Sequence, residues 1–130
     1  MNRMKGFAID YASDKLEVFP CISNEKRPLT AHGFKDASLD KQVISDWWGK
    51  HPRANIGLPT GKVNNLVVVD VDVKNDAGGM ASLKRLQDEY GKFNTRVVLT
   101  PSGGLHFYFK YPNDIDTIKN RTNIKPGIDI

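Results

Sequence analysis

One cysteine, Cys21, stands in 130 residues. It excludes an intrachain disulfide and any multi-cysteine metal cluster, and it predicts an intracellular, cytoplasmic protein. No apolar run approaches the length of a membrane span, so no membrane partner is expected. The start, Met1-Asn2-Arg3-Met4-Lys5-Gly6, is basic but lacks the apolar core of a signal peptide. Internal repeats, low-complexity tracts and blocks of Lys or Arg are missing as well. So is a Walker A loop: Gly61-Lys62 is followed by Val63, and Ile56 stands where its first glycine belongs. What is present is ordinary for a globular domain, with 39% hydrophobic and 26% charged residues. The length suits one small domain, or part of a larger protein, with a core that needs no disulfides. Nineteen Lys and Arg against 15 Asp and Glu give +4, which is compatible with nucleic-acid binding without requiring it.

Periodicity divides the chain into short elements. Met4, Phe7, Ala8 and Tyr11 share a face and predict a helix over 4–12. Leu16 to Cys21 reads as a strand, and Ser23 to Leu29 as a polar turn carrying Lys26-Arg27-Pro28. Ser38 is a candidate cap for a helix on which Leu39, Val43 and Trp47 repeat, with Ile44 and Trp48 beside them and Gly49 at its end. That spacing assigns the Trp pair to the core rather than to base stacking. Asn55 to Leu58 is a strand, followed by the Pro59-Thr60-Gly61-Lys62 loop. Leu66 to Val73 is the most apolar strand, and Lys74 to Gly79 a loop. Met80, Leu83, Leu86 and Tyr90 line a helix ended by Gly91. Arg96–Thr100 and Leu105–Lys110 then form a hairpin across Pro101-Ser102-Gly103-Gly104. Residues 112–119 are polar and irregular. Ile128-Asp129-Ile130 looks like the start of a strand that stops in mid-pattern, which predicts a C-terminally truncated fragment.

The chemistry-bearing residues interrupt these apolar strands. Asp70 and Asp72 point to one face of their strand and Val69, Val71 and Val73 to the other. In the hairpin, His106, Tyr108 and Lys110 share a face, opposite Leu105, Phe107 and Phe109. Asp129 adds a third acid on a strand. Carboxylates near one another repel unless a cation neutralises them, and an oxygen-only set suits Mg²⁺ or Mn²⁺ better than structural zinc. Such an ion takes its remaining ligands from water and substrate phosphates. The Ser102-Gly103-Gly104 turn offers backbone N–H groups to phosphates, and His106 adds a donor. The residues therefore point to metal-dependent phosphoryl or nucleotidyl transfer. Taken alone, the Asp-x-Asp pair also suits glycosyltransferases, nucleases and phosphatases, or a surface pair balanced by Lys or Arg.

The order of these motifs resembles the N-terminal domain of bifunctional DNA primase/polymerases. These form the prim-pol branch of the archaeo-eukaryotic primase superfamily, found in phages, plasmids and mobile elements. The likeness rests on Val67-Val68-Val69-Asp70-Val71-Asp72, on Gly104-Leu105-His106 within Thr100 to Phe107, and on Ile128-Asp129. Val18-Phe19-Pro20, Lys26-Arg27-Pro28-Leu29, Trp47-Trp48 and Asn55 to Gly61 extend it through the N-terminal half. The resemblance implies an α+β fold, with an N-terminal α/β unit over 1–62 joined to an RRM-like catalytic unit over 63–130. It implies Asp70, Asp72 and Asp129 as ligands of Mg²⁺ or Mn²⁺, and His106 on the triphosphate supported by Ser102, Gly103 and Gly104. Lys26 is a further basic contact. The implied partners are nucleoside triphosphates, a single-stranded DNA template and primer, and a replicative helicase domain or protein. The family's third motif continues into an Arg- and Gly-containing segment, then Gly-Tyr and Pro-Pro-Ser; this chain ends before it. The alternatives are a truncated, non-catalytic module binding nucleotide or single-stranded DNA, and a metal-dependent nuclease.

Overall fold

The computed structural model describes residues 2–74 and 77–130, so Asn75 and Asp76 of the loop expected over 74–79 lie outside the described residues. The fold is mixed α/β. The chain divides into two compact units, the first ending at Asn64 and the second beginning at Asn65.

The first unit holds two helices and a two-stranded ribbon. Helix α1 spans Arg3–Ser13; the Asn2 side chain accepts the Lys5 N–H at its start and donates to the Trp48 carbonyl at 2.8 Å. Its buried side is Ala8 and Ala12, with Met4 and Tyr11 packed alongside, while Phe7 of the expected face is half exposed. Small alanines let α1 approach α2 (Lys41–Lys50), which buries Ile44 and Trp48 completely. Leu39 and Val43 of the expected stripe are exposed instead. The Trp pair is core material, as the spacing predicts: Trp48 donates its indole N–H to the Ala54 carbonyl at 3.1 Å, and Trp47 packs edge-on to it. The cap of α2 is Asp40, whose carboxylate accepts the Gln42 and Val43 N–H groups. Ser38 stands one step further out and accepts the Asp40 N–H.

Strands β1 (Phe19–Cys21) and β2 (Asn55–Gly57) pair antiparallel, with Phe19 opposite Gly57 and Cys21 opposite Asn55. The β1 strand is shorter than the expected 16–21. Glu17 instead exchanges hydrogen bonds with the buried side chain of Asn64, which also donates to the Pro59 carbonyl at 2.9 Å. A side-chain amide here does the work of a neighbouring strand, and among the described residues no buried side-chain nitrogen or oxygen lacks a hydrogen-bond partner.

The second unit contains the expected order of strand, helix, strand, strand. Strands β3 (Leu66–Val71), β4 (Arg96–Leu99), β5 (Leu105–Lys110) and β6 (Ile128–Asp129) form one antiparallel sheet in the order β4-β5-β3-β6. Helix α3 (Gly79–Tyr90) lies against one face. Alternation decides which residues it meets. Val69, Val71, Leu105, Phe107, Phe109 and Ile128 pack with Leu83 and Leu86 of α3, and Phe93 meets Phe107 and Phe109 edge-on. Met80 and Tyr90, expected on the same helical stripe, project to solvent because only the middle of α3 lies over the core. The β3 strand ends at Val71 rather than Val73. At Asp72 the chain turns away: its N–H donates to the Gly127 carbonyl and its carbonyl accepts the Gly79 N–H. Gly79 permits that contact, since a Cβ there would fall 2.2 Å from the Asp72 oxygen.

Candidate functional site

The candidate site occupies the face of the second unit's sheet opposite α3. In an antiparallel sheet, directly opposed residues point the same way. Asp70 is opposite His106 on β5 and opposite Asp129 on β6, and His106 is in turn opposite Val98 on β4. His106, Asp70 and Asp129 therefore form one transverse row, drawn from segments far apart in the chain. His106 Nε2 lies 3.4 Å from Asp70 Oδ1, with 35% and 41% of the two side chains' surface exposed, so the pair is within reach of a ligand. The Tyr108 ring stands edge-on to the imidazole on the same face.

The other acids are held by their own loops. Asp129 Oδ1 accepts the Asn123 N–H at 2.9 Å, and the Asn123 side chain accepts the Gly127 N–H. Asn123 adopts a left-handed backbone, which asparagine tolerates. Sequence reasoning passed over this residue, and an asparagine two residues before Lys-Pro-Gly was the available signal. Asp72 lies just past the end of β3, and its Oδ1 accepts the Lys74 N–H at 2.9 Å in an Asx turn. The structure thus brings Asp70, His106 and Asp129 into one row and gives Asp72 a local role at the loop.

Among the described residues, no group of three or more His, Cys, Asp or Glu side chains is gathered closely enough to hold a metal ion. The donor set nonetheless has the right chemistry for a hard cation: carboxylate oxygens on two neighbouring strands. What fits is an ion such as Mg²⁺ that binds through one or two carboxylates and brings water and phosphate as its other ligands. Cys21 is buried in the first unit, and burial pushes its thiol up from the ordinary range.

The turn before His106 is built differently from the expectation. The Gly103 N–H donates to the Thr100 carbonyl at 3.0 Å, and the Gly104 N–H to the Thr100 hydroxyl at 3.0 Å. Both amides are engaged within the turn and not directed outward to a phosphate. Each glycine has a backbone reason: Gly103 has φ +88°, and a Cβ on Gly104 would lie 2.3 Å from the Val71 carbonyl oxygen. The pair lets the hairpin close tightly against the end of β3, which sets His106 opposite Asp70. Ser102 remains on the turn with its hydroxyl 3.3 Å from that of Thr100. Lys26 is exposed on the Ile22–Arg27 turn of the first unit.

No helix among the described residues is long and apolar enough to cross a membrane. A comparison with curated proteins finds no match. A comparison with protein-family models does: residues 8–130 match the Prim-Pol model, described as the N-terminal domain of bifunctional DNA primase/polymerase. That span takes in both units and the whole His106–Asp70–Asp129 row, and the chain belongs to this family of primase/polymerase domains.

Proposed function

We propose that the chain carries out template-dependent nucleotidyl transfer, as a DNA primase and DNA polymerase in the replication of a phage, plasmid or mobile element. The observation that carries this reading is the row His106–Asp70–Asp129 on the sheet face left open by α3. The second unit acts as an RRM-like catalytic unit and the first, N-terminal to it, as an α/β accessory. A nucleoside triphosphate lies on the open face. His106 donates to its triphosphate, and the Ser102 hydroxyl supports that contact in place of the engaged Gly103 and Gly104 amides. Asp70 orients His106 and, with Asp129, offers carboxylate oxygens to Mg²⁺ or Mn²⁺; Asp72 joins them on rearrangement of its turn. When bound, the divalent ion supplies charge neutralisation and Lewis acidity at the phosphates. A primer 3′-hydroxyl, or that of an initiating nucleotide, attacks the α-phosphorus; a new P–O bond forms, the bond to the β-phosphate oxygen breaks, and pyrophosphate leaves. The partners are a single-stranded DNA template, a primer and a replicative helicase domain or protein, in the cytoplasm.

The test is primer synthesis and extension on single-stranded DNA with Mg²⁺ or Mn²⁺. Asp70→Asn and Asp129→Asn are each expected to lower the rate by roughly a hundredfold or more. His106→Ala is expected to act mainly through the KM for nucleotide. Wild-type rates in the two Asp variants would remove the proposed site. A second reading is a module that binds nucleotide or single-stranded DNA without turnover. Calorimetric binding of a nucleoside triphosphate with Mn²⁺, without any incorporation, would select it.

A further inference from the structure

The β1–β2 register sets Cys21 opposite Asn55, so the segments that follow β1 and precede β2 emerge side by side at one end of the ribbon. Each segment is a tight turn. The Ile22 N–H donates to the Arg27 carbonyl at 2.8 Å and the Glu25 N–H to the Ile22 carbonyl at 2.9 Å, and Lys26 and Arg27 on this turn are exposed. On the other side, the Ala54 N–H donates to the His51 carbonyl at 3.0 Å, and the Trp48 indole fastens Ala54 to the core. Between the turns lies a pocket of about 360 Å³, lined by the apolar side chains of Ile22, Leu29, Pro52 and Ala54. His51 and Arg53 also line it, both exposed to solvent. It is an open depression with a mainly apolar lining and Arg53 among its lining residues, large enough to take part of a small ligand.

The charge around it is one-sided. Lys50, His51 and Arg53 include no acid, and the facing turn adds Lys26 and Arg27 against Glu25. Glu25 forms an exposed 4.0 Å ion pair with Arg27, which neutralises little. An open apolar surface with cations beside it can take the face of a flat base and the phosphates on either side of it. A duplex keeps its bases stacked and cannot present a base face to such a surface.

We propose that this pocket takes one unpaired base of a single-stranded nucleic acid, with the flanking phosphates on Arg53 and on the Lys26–Arg27 turn. The assignment rests on the nucleic-acid reading above but not on the chemistry at Asp70. Neither His51 nor Arg53 was singled out by sequence pattern.

The experiment is fluorescence anisotropy of the intact protein with a labelled oligothymidylate over a series of salt concentrations, with thermal unfolding to verify each variant. Arg53→Ala is expected to weaken binding roughly fivefold or more and to lower the salt slope by about one. Leu29→Ala is expected to weaken binding roughly fivefold with the slope unchanged, because it removes apolar contact alone. Lys84→Ala, an equal loss of charge in the other unit, is expected to stay within roughly twofold of wild type. Undiminished binding in both pocket variants, equal affinity for a duplex of the same length, or no binding even at low salt would overturn the proposal. The expected pattern without any nucleotide incorporation would support the pocket while removing the proposed catalytic function.

Discussion

At the scale of residues, the Gly103-Gly104 pair shows how one signal carried two meanings. Glycines before a histidine suggested amides open to phosphate, yet both amides bond to Thr100 and the glycines answer backbone demands. Gly104→Ala places a methyl group against the Val71 carbonyl, a backbone atom that cannot swing aside. It is expected to destabilise the protein by about 2–3 kcal/mol in urea unfolding. Gly103→Ala, strained only by its positive φ, is expected to cost about 1–2 kcal/mol. If Gly104→Ala were neutral, the tight closure of the hairpin on β3 would be wrong. The candidate acids were legible from sequence because a carboxylate on a valine-rich strand is costly without a purpose. Their hydrogen-bond partners were not, since Asn123 and Asp129 meet only after a loop closes.

At the scale of elements, helices and strands were largely legible, and their ends and buried faces were not. The period of α2 allowed two adjacent stripes, Leu39-Val43-Trp47 and Ile44-Trp48, and packing against α1 selected the second. Its cap illustrates the same ambiguity: Ser38 and Asp40 both have capping side chains, and only Asp40 reaches the first free N–H groups. Asp40→Ala is expected to lower stability by about 1 kcal/mol, and Ser38→Ala by less, as measured by chemical denaturation. A reversed ranking would restore Ser38 as the cap. In the sheet, the alternation along β3 and β5 placed Val69, Val71, Leu105, Phe107 and Phe109 on the core face and Asp70 and His106 on the other, because the period of a strand leaves only two choices. The early end of β3 could not be read, since Asp72 and Val73 continue its pattern; the turn is made by bonds to Gly79 and Gly127, which are remote or across a loop.

At the scale of the whole molecule, each unit has its own core, one centred on Trp48 and Ile44, the other on Phe107, Val71 and Ile128. Both tryptophans belong to the first unit, so indole fluorescence reports on it alone, while far-ultraviolet circular dichroism reports on both. Phe107→Ala is expected to cost the second unit about 3–5 kcal/mol. It should shift the dichroism transition to lower urea and leave the fluorescence midpoint in place. Equal shifts in both signals would show that the two cores unfold as one.

By itself the sequence singled out Asp70, Asp72, His106 and Asp129 as candidates and determined the strand and helix order of the second unit, the separation of apolar from polar faces, and the resemblance to primase/polymerase domains that the family match bears out. These follow from local period and residue type, which need no knowledge of distant contacts. Tertiary structure alone decided that His106 and Asp129 flank Asp70, that Asp72 serves a turn, and that two turns of the first unit border an open apolar pocket with Arg53 in its lining. Those are matters of register and loop closure, and register is set by the energy of pairing whole strands rather than by any residue read alone.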